Sequence, residues 1–379
     1  MSIRQMFPGS IVKPGFNPLA AQTPTLLYNL LSWGNNNSGQ LGLGDTTSRS
    51  SPNQVGSLTD WLNISGGGYT SLAVKTDGTL WAWGRNASGQ LGLGNITSYS
   101  SPKQVGALTG WSKVSVNSQR SFAIKTDGTL WAWGANGDGQ LGLGNATAYS
   151  SPKQVGALTT WLQVVAGAYG TYAIKTDGTL WSWGLSGVVG ALGLNNLTAY
   201  SSPKQIGALT TWASLADGNG GSINQAAIKT DGTLWAWGFN YYGQLGLGNT
   251  TYAYSSPKQV GALTTWSKSS QGTYSTYGIT TNGALYSWGQ NPYGQLGLGN
   301  VTYYSSPKQV GALTTWSKIR GLNQAVGGIT TGGALWIWGR NNYGNLGLGN
   351  TTNYSSPKQV GSSTTWNTIV GGGAVIAIG

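Results

Sequence analysis

The sequence predicts an all-β fold, a seven-bladed β-propeller closed by a composite blade. Three observations carry this. First, a Trp-Gly pair recurs at Trp33, Trp83, Trp133, Trp183, Trp237, Trp288 and Trp338, with steps of 50, 50, 50, 54, 51 and 50 residues. A fixed period in the range of about 20–50 residues marks a solenoid, propeller or array. Second, the runs between the pairs are short, alternate apolar with polar residues, and are rich in β-branched and aromatic types, as strands require. Third, each end of the chain holds only part of a repeat, and the two parts complement each other.

Residues 61–106 show the unit: WLNIS, SLAVKT, TLWAWG, the loop GQLGLGN, then SSPKQV. No run keeps apolar residues at helical spacing. Asp77-Gly78 joins the second and third runs as a tight hairpin. The same turn recurs at Asp127, Asp177 and Asp231, with Asn282-Gly283 and Gly332-Gly333 as variants. Four strands in each of seven units make a propeller, whose radial repetition leaves only short edges. The chain ends in WNTIVGGGAVIAIG, the first two strands of a unit, and the missing strand stands at 25–34 as TLLYNLLSWG. Strands from Trp366 onward are therefore expected to pair with N-terminal strands up to Val55, which hides otherwise open edges. Residues 1–25 fall outside the repeat and 26–379 form the propeller.

The Trp-Gly pair followed by GQLGLG, at 39–44, 89–94, 139–144, 243–248 and 294–299, resembles the repeats of the regulator-of-chromosome-condensation family. The likeness covers about residues 26–379 and implies the propeller fold. The family hosts nucleotide exchange on a small GTPase, chromatin binding, photoreception and β-lactamase inhibition, so the fold does not name the function. The chain departs from the family in lacking His. The surface acids and His of the exchange factors have no counterpart here. The plant photoreceptor relies on Trp clustered with Arg on one face. Here all 19 Trp fall in two repeat segments, twelve in the WxWG strand and seven at the T-x-W strand start, where packing between blades is their expected role.

Composition excludes most chemistry. There is no His, Cys or Glu, and the only carboxylate side chains are eight Asp. Thiolate and imidazole metal ligands are missing, and no Ser-His-Asp or Cys-His nucleophile can be assembled. Asp77, Asp127, Asp177 and Asp231 sit in turns that already explain them. Asp45, Asp60, Asp138 and Asp217 lie in different blades and form no acid–base pair. No catalytic residue, metal or cofactor is expected. The N-terminus has no continuous apolar signal region, and no stretch approaches the roughly 20 apolar residues of a membrane span.

Charged residues make up 7% of the chain, and the net charge is +12. The charge is spread by symmetry: Lys103, Lys153, Lys204, Lys258, Lys308 and Lys358 share one repeat position, and Lys75, Lys125, Lys175 and Lys229 another. The first set would form a basic ring for an anionic partner or simply a solvated girdle. Even spacing disfavours nucleic acid, which calls for clustered cations among stacking aromatics. The repeated N-x-T at Asn95, Asn145, Asn196, Asn249, Asn300 and Asn350 is read as a turn former.

Deviations from the repeat point to specific work. Blade four has an altered loop at 184–196, and blade five an expanded start at 212–229. Tyr occupies the loop after the Trp-Gly pair only in blades five to seven, at Tyr241, Tyr242, Tyr293 and Tyr343. Loops on a rigid scaffold commonly carry binding, and Tyr suits glycan stacking or a protein interface.

The N-terminal 25 residues contain Pro8, Pro14, Pro18 and Pro24, which forbid a continuous helix. Met6, Phe7, Ile11, Val12 and Phe16 make the segment apolar enough to anchor. Its Pro-Gly-Phe-Asn-Pro-Leu stretch resembles leaders on structural proteins of tailed phages. That resemblance implies a non-enzymatic virion structural or adhesion protein, on a capsid or tail surface. The arm would hold it to other virion proteins, with homo-oligomers possible within the particle, and the Tyr rim would meet a host-surface glycan or a neighbouring virion protein. The alternative is an intracellular, otherwise cytoplasmic, interaction propeller of GTPase-exchange, chromatin-binding or inhibitor type.

Overall fold

The computed structural model describes residues 29–218 and 221–379. The expected arm residues Met6, Phe7, Ile11, Val12 and Phe16 lie outside the described residues. Seven antiparallel sheets of the propeller follow one another round a central channel. Blade two shows the pattern from the channel outward: Trp61–Gly67, Thr70–Lys75, Leu80–Gly84 and Tyr99–Gln104.

The hairpin between the second and third strands is built by its own side chains. Asp77 Oδ1 accepts from the Thr79 amide at 2.9 Å and from its hydroxyl at 2.7 Å. The Thr79 hydroxyl in turn accepts from Trp81 Nε1 at 2.9 Å, which fixes the outer Trp. Gly78 sits at φ +76°, a conformation that glycine adopts without strain. The Thr hydroxyl and amide hold the Asp77, Asp127, Asp177 and Asp231 carboxyls below their ordinary range.

Blade one is composite, as the chain ends imply. Leu30–Gly34 lies between Arg49–Gln54 and the C-terminal Ala374–Ile378, with Thr368–Gly371 innermost. Leu30 pairs with Ile378 and Gly34 with Ala374. Blade five departs from the pattern in a way its length alone does not reveal. Its short segment Asp217–Gly218 leaves the sheet and pairs in parallel with Trp266–Gln271 of blade six.

The core lies between blades. Leu72, Val74, Leu80, Leu91 and Val105 of blade two pack against Trp111, Val116, Ala123 and Trp133 of blade three. Trp133 is fully buried, and its Nε1 donates to the Gln90 carbonyl at 2.9 Å in the preceding blade's loop. The Ser121 hydroxyl donates to the same carbonyl at 2.7 Å. Every blade repeats the Trp bond: Trp83 to Gln40, Trp183 to Gln140, Trp237 to Ala191, Trp288 to Gln244 and Trp338 to Gln295. Trp33 donates to Asn345 at 2.9 Å and closes the ring across 312 residues. Packing between blades is thus the role of the Trp-Gly tryptophans. Trp81, Trp131, Trp181 and Trp235 differ, being half-buried, with a Lys ammonium over each ring at 3.7–5.9 Å.

Gly92, at φ +75°, lies so close to Trp133 that an added Cβ would stand 2.8 Å from Nε1. Trp133→Phe is expected to lower unfolding free energy by about 2 kcal/mol, through lost volume and a lost hydrogen bond. Gly92→Ala is expected to lower it by about 3 kcal/mol, through overpacking and left-handed strain. Denaturant unfolding checks both, and equal stability of either variant with the parent would refute the inter-blade account. The turn carboxylates set the acid limit. Their lowered folded values add stability that is complete above the unfolded value of about 3.9 and is lost as pH falls through the folded values. With no His in the chain, melting temperature is expected to stay level from about pH 5 to 8 and to fall only below about pH 4.

Candidate functional site

In each blade the loop after the third strand and the turn between the first two strands emerge on the same face. A buried Asn pins the former in six blades, and Ser186 takes its place in blade four. Asn86 Nδ2 donates to the Asn95 and Thr97 carbonyls at 3.0 and 2.9 Å, and its Oδ1 accepts from the Leu91 amide at 2.8 Å. Asn95 Oδ1 accepts from the Thr97 amide at 2.9 Å, so the N-x-T triplet is a turn former, and its equivalents at Asn145, Asn196, Asn249, Asn300 and Asn350 do the same. The tips of these loops are therefore held rigidly.

The four tyrosines of the sequence reading all lie on this face, but not as one patch. Tyr241 is 59% exposed and Tyr343 47% exposed, while Tyr242 and Tyr293 are half-buried. Tyr241 and Tyr242 join an aromatic cluster centred on Phe239. Ring centroids of Phe239 lie 6.3 Å from Tyr241, 5.3 Å from Tyr252 and 6.0 Å from Tyr274. Tyr242 stands 5.2 Å from Tyr274 and 6.0 Å from Tyr303. Tyr293 instead meets the Arg340 guanidinium at 4.9 Å. Tyr343 lines a polar cleft with Tyr69, Asn323, Gln324, Arg340 and Gly372. Arg340 links Tyr293 to the cleft, since its guanidinium also donates to Gln324 Oε1 at 2.5 Å.

Phe239, Tyr252, Tyr274 and Tyr303 were not foreseen as members. Phe239 carried a signal: it is the one aromatic at the position after the Trp-Gly pair, where other blades have Asn35, Arg85, Ala135, Leu185, Gln290 and Arg340. Tyr274 and Tyr303 come from blade six and reach the cluster only through folding. The cleft depends on small residues, because blade one's inner turn is Gly371-Gly372-Gly373 where blade two presents Tyr69. Asn323 on its wall holds φ +70°, an uncommon conformation for a non-glycine residue.

The basic ring lies elsewhere. Lys103, Lys153, Lys204, Lys258, Lys308 and Lys358 are exposed on the outermost strands. Each ammonium sits 5.5–6.0 Å from the ring of the Tyr four residues before it. These cations circle the rim singly and do not meet the aromatic cluster. The opposite face carries exposed leucines at Leu58, Leu108, Leu158, Leu209, Leu263 and Leu313.

The carboxylates are dispersed. Asp45 pairs with Arg49, Asp60 with Lys75 and Asp217 with Arg320, and Asp138 accepts from Gln140. Among the described residues no group of three His, Cys, Asp or Glu could hold a metal ion. Arg120 is buried, and burial lowers its guanidinium to about 10; it donates to the Gly167 and Ala168 carbonyls. The arrangement offers contact chemistry: aromatic rings, amides and the half-buried guanidinium of Arg340.

Comparison with known proteins corrects the virion reading. Mouse Protein RCC2 is 40% identical over 77 residues, which span 20% of this chain and 15% of that protein. The chain thus matches a small part of its curated relative's length. Human WBSCR16 matches in structure with a TM-score of 0.83 at 21% identity, covering 93% of this chain and 98% of the other. Prp20p from Saccharomyces cerevisiae matches with a TM-score of 0.79 at 19% identity, covering 94% and 92%. These relatives are eukaryotic RCC1-like proteins and not phage particle proteins, so the phage structural and adhesion role, the virion location and the phage-leader resemblance are set aside. Virion partners and host glycans gain no support from them.

The model of the Regulator of chromosome condensation (RCC1) repeat matches residues 29–74, 77–124, 127–174, 231–279, 282–321 and 332–376. With these matches spread around the ring and the Trp-to-loop bond repeated in every blade, the chain belongs to the RCC1 repeat family.

Proposed function

We propose that this chain is an intracellular, non-catalytic propeller that binds another protein through its tyrosine-bearing face. The aromatic cluster around Phe239 carries the reading. Exposed, rigidly mounted Tyr and Arg are the residue types that dominate binding energy at protein interfaces. Family membership supports it, since Prp20p, a protein of the same fold, was described with its binding properties to Gsp1p and histones, and yeast RCC1 was described bound to Kap60. The absence of His, Cys and Glu from the sequence supports a binding role over an enzymatic one. Tyr241, Tyr242, Tyr293 and Tyr343 are the proposed contacts, with Arg340 between Tyr293 and the cleft. The outer lysine ring is placed outside this interface.

A small GTPase of the Gsp1p type and a core histone pair are the first partners to test, by biolayer interferometry with purified protein. Tyr242→Ala and Arg340→Ala are each expected to weaken binding at least tenfold, about 1.4 kcal/mol or more. Lys153→Gln on the outer ring is expected to leave it unchanged. Parent affinity in the Tyr242 and Arg340 variants would remove this face from the interface.

A further inference from the structure

We propose that the channel wall between blades six and seven is a binding site for a small phosphate-type oxyanion. The inner strands explain why. The inner strands present free edges to their neighbours, and in several blades a side chain of the preceding blade covers that edge. In blade two Asn63 Oδ1 accepts from the Val114 amide at 3.2 Å. In blade four Gln163 Oε1 accepts from the Leu215 amide at 2.9 Å. Neutral amides therefore suffice for the task.

Blades three, six and seven use lysines at the same repeat position. Lys113 Nζ donates to the Leu162 carbonyl at 2.6 Å with the neutral Asn63 and Gln163 in the blades on either side, whereas Lys268 and Lys318 stand in adjacent blades. Lys268 Nζ donates to the Ser317 carbonyl at 2.5 Å, one residue from Lys318. Lys318 Nζ donates to Asn367 Oδ1 at 2.7 Å and to the Asn367 carbonyl. No carboxylate forms an ion pair with either ammonium among the described residues. The acid in this wall, Asp217, pairs with Arg320 at 3.2 Å. Two neighbouring cations without a counter-charge oppose each other, and covering an edge does not require them.

A second departure falls at the same place. The residue after the capping position is aliphatic in six blades: Ile64, Val114, Val164, Leu215, Ile319 and Ile369. Blade six has Ser269, whose buried hydroxyl has no hydrogen-bond partner. Ser269 lines the same cavity as Lys268, Lys318 and Arg320. The smaller side chain removes the aliphatic bulk that the other blades carry at this position. Each ammonium keeps donors beyond those given to backbone carbonyls. Charge-assisted bonds from two lysines suit the several oxygens and the double charge of a phosphate group.

Isothermal titration of the full chain with inorganic phosphate, and then pyrophosphate, tests the site. Saturable binding of one anion per chain is expected. Lys268→Gln and Lys318→Gln should each weaken it at least tenfold, while Gln still covers the strand edge as Gln163 does. Ser269→Val, which installs the residue type of the other blades, should weaken it several-fold and provides a folded variant should a lysine variant fail to fold. A Lys103→Gln/Lys153→Gln pair removes more charge than either single variant and should bind as the parent. No saturable binding of either anion, parent affinity in Ser269→Val, or equal loss in the outer-ring pair would overturn the proposal. No protein partner enters the measurement, so its outcome stands apart from the interface reading.

Discussion

The structure depends on one repeated bond: a buried tryptophan indole of each blade donating to a loop carbonyl of the blade before it. The carbonyl belongs to Gln40, Gln90, Gln140, Ala191, Gln244, Gln295 or Asn345. A buried Nε1–H left unpaired is destabilising, so the carbonyl presented by the neighbouring loop favours this indole's burial; the strand-start tryptophans, such as Trp61 and Trp161, are buried with Nε1 unpaired. The second glycine of each GQLGLG motif exists to let the ring approach. Loop shape, tryptophan burial and blade spacing are therefore a single constraint. Because the bond always runs to the preceding blade, it propagates round the molecule, and the Trp33–Asn345 pair makes the last blade indistinguishable from an interior one.

Everything polar in the scaffold serves that arrangement. Buried asparagines such as Asn86 spend both ends of their amide on the loop that carries the carbonyl. The turn aspartates hold a threonine that holds an outer tryptophan. Lysines at 75, 125, 175 and 229 lie over pairs of indoles, where their stems cover apolar surface and their charge meets aromatic faces. A chain with 7% charged residues thus places much of its charge in structural tasks. The proposed contacts fall where the repeat is broken, in blades five to seven.

The functional class illustrates how unequal two resemblances can be. The phage reading rested on about twenty N-terminal residues, which no repeat constrains and which lie outside the described structure. The RCC1 likeness rests on residues that the fold requires, such as Trp133, Gly92 and Asn86, and it survives comparison around the ring. A likeness over so short a stretch arises readily without common ancestry. The Tyr series was legible as a sequence deviation, but its division into a Phe239 cluster and an Arg340 cleft was not. Tyr242 meets Tyr274 and Tyr303 across a blade boundary, a neighbour relation that no local pattern encodes.

The sequence by itself determined the blade count, the strand order within a blade, the hairpins and the closing of the ring. Each follows from local period, turn chemistry or complementary ends, which are short-range properties. Only the tertiary structure decided what stands next to what between blades. It put Asp217–Gly218 of blade five onto the inner strand of blade six. It also separated the outer lysine ring from the tyrosine face and set Lys268 beside Lys318. Those relations depend on side chains some 50 residues apart meeting at an inter-blade surface, where packing and hydrogen-bond geometry choose the partner.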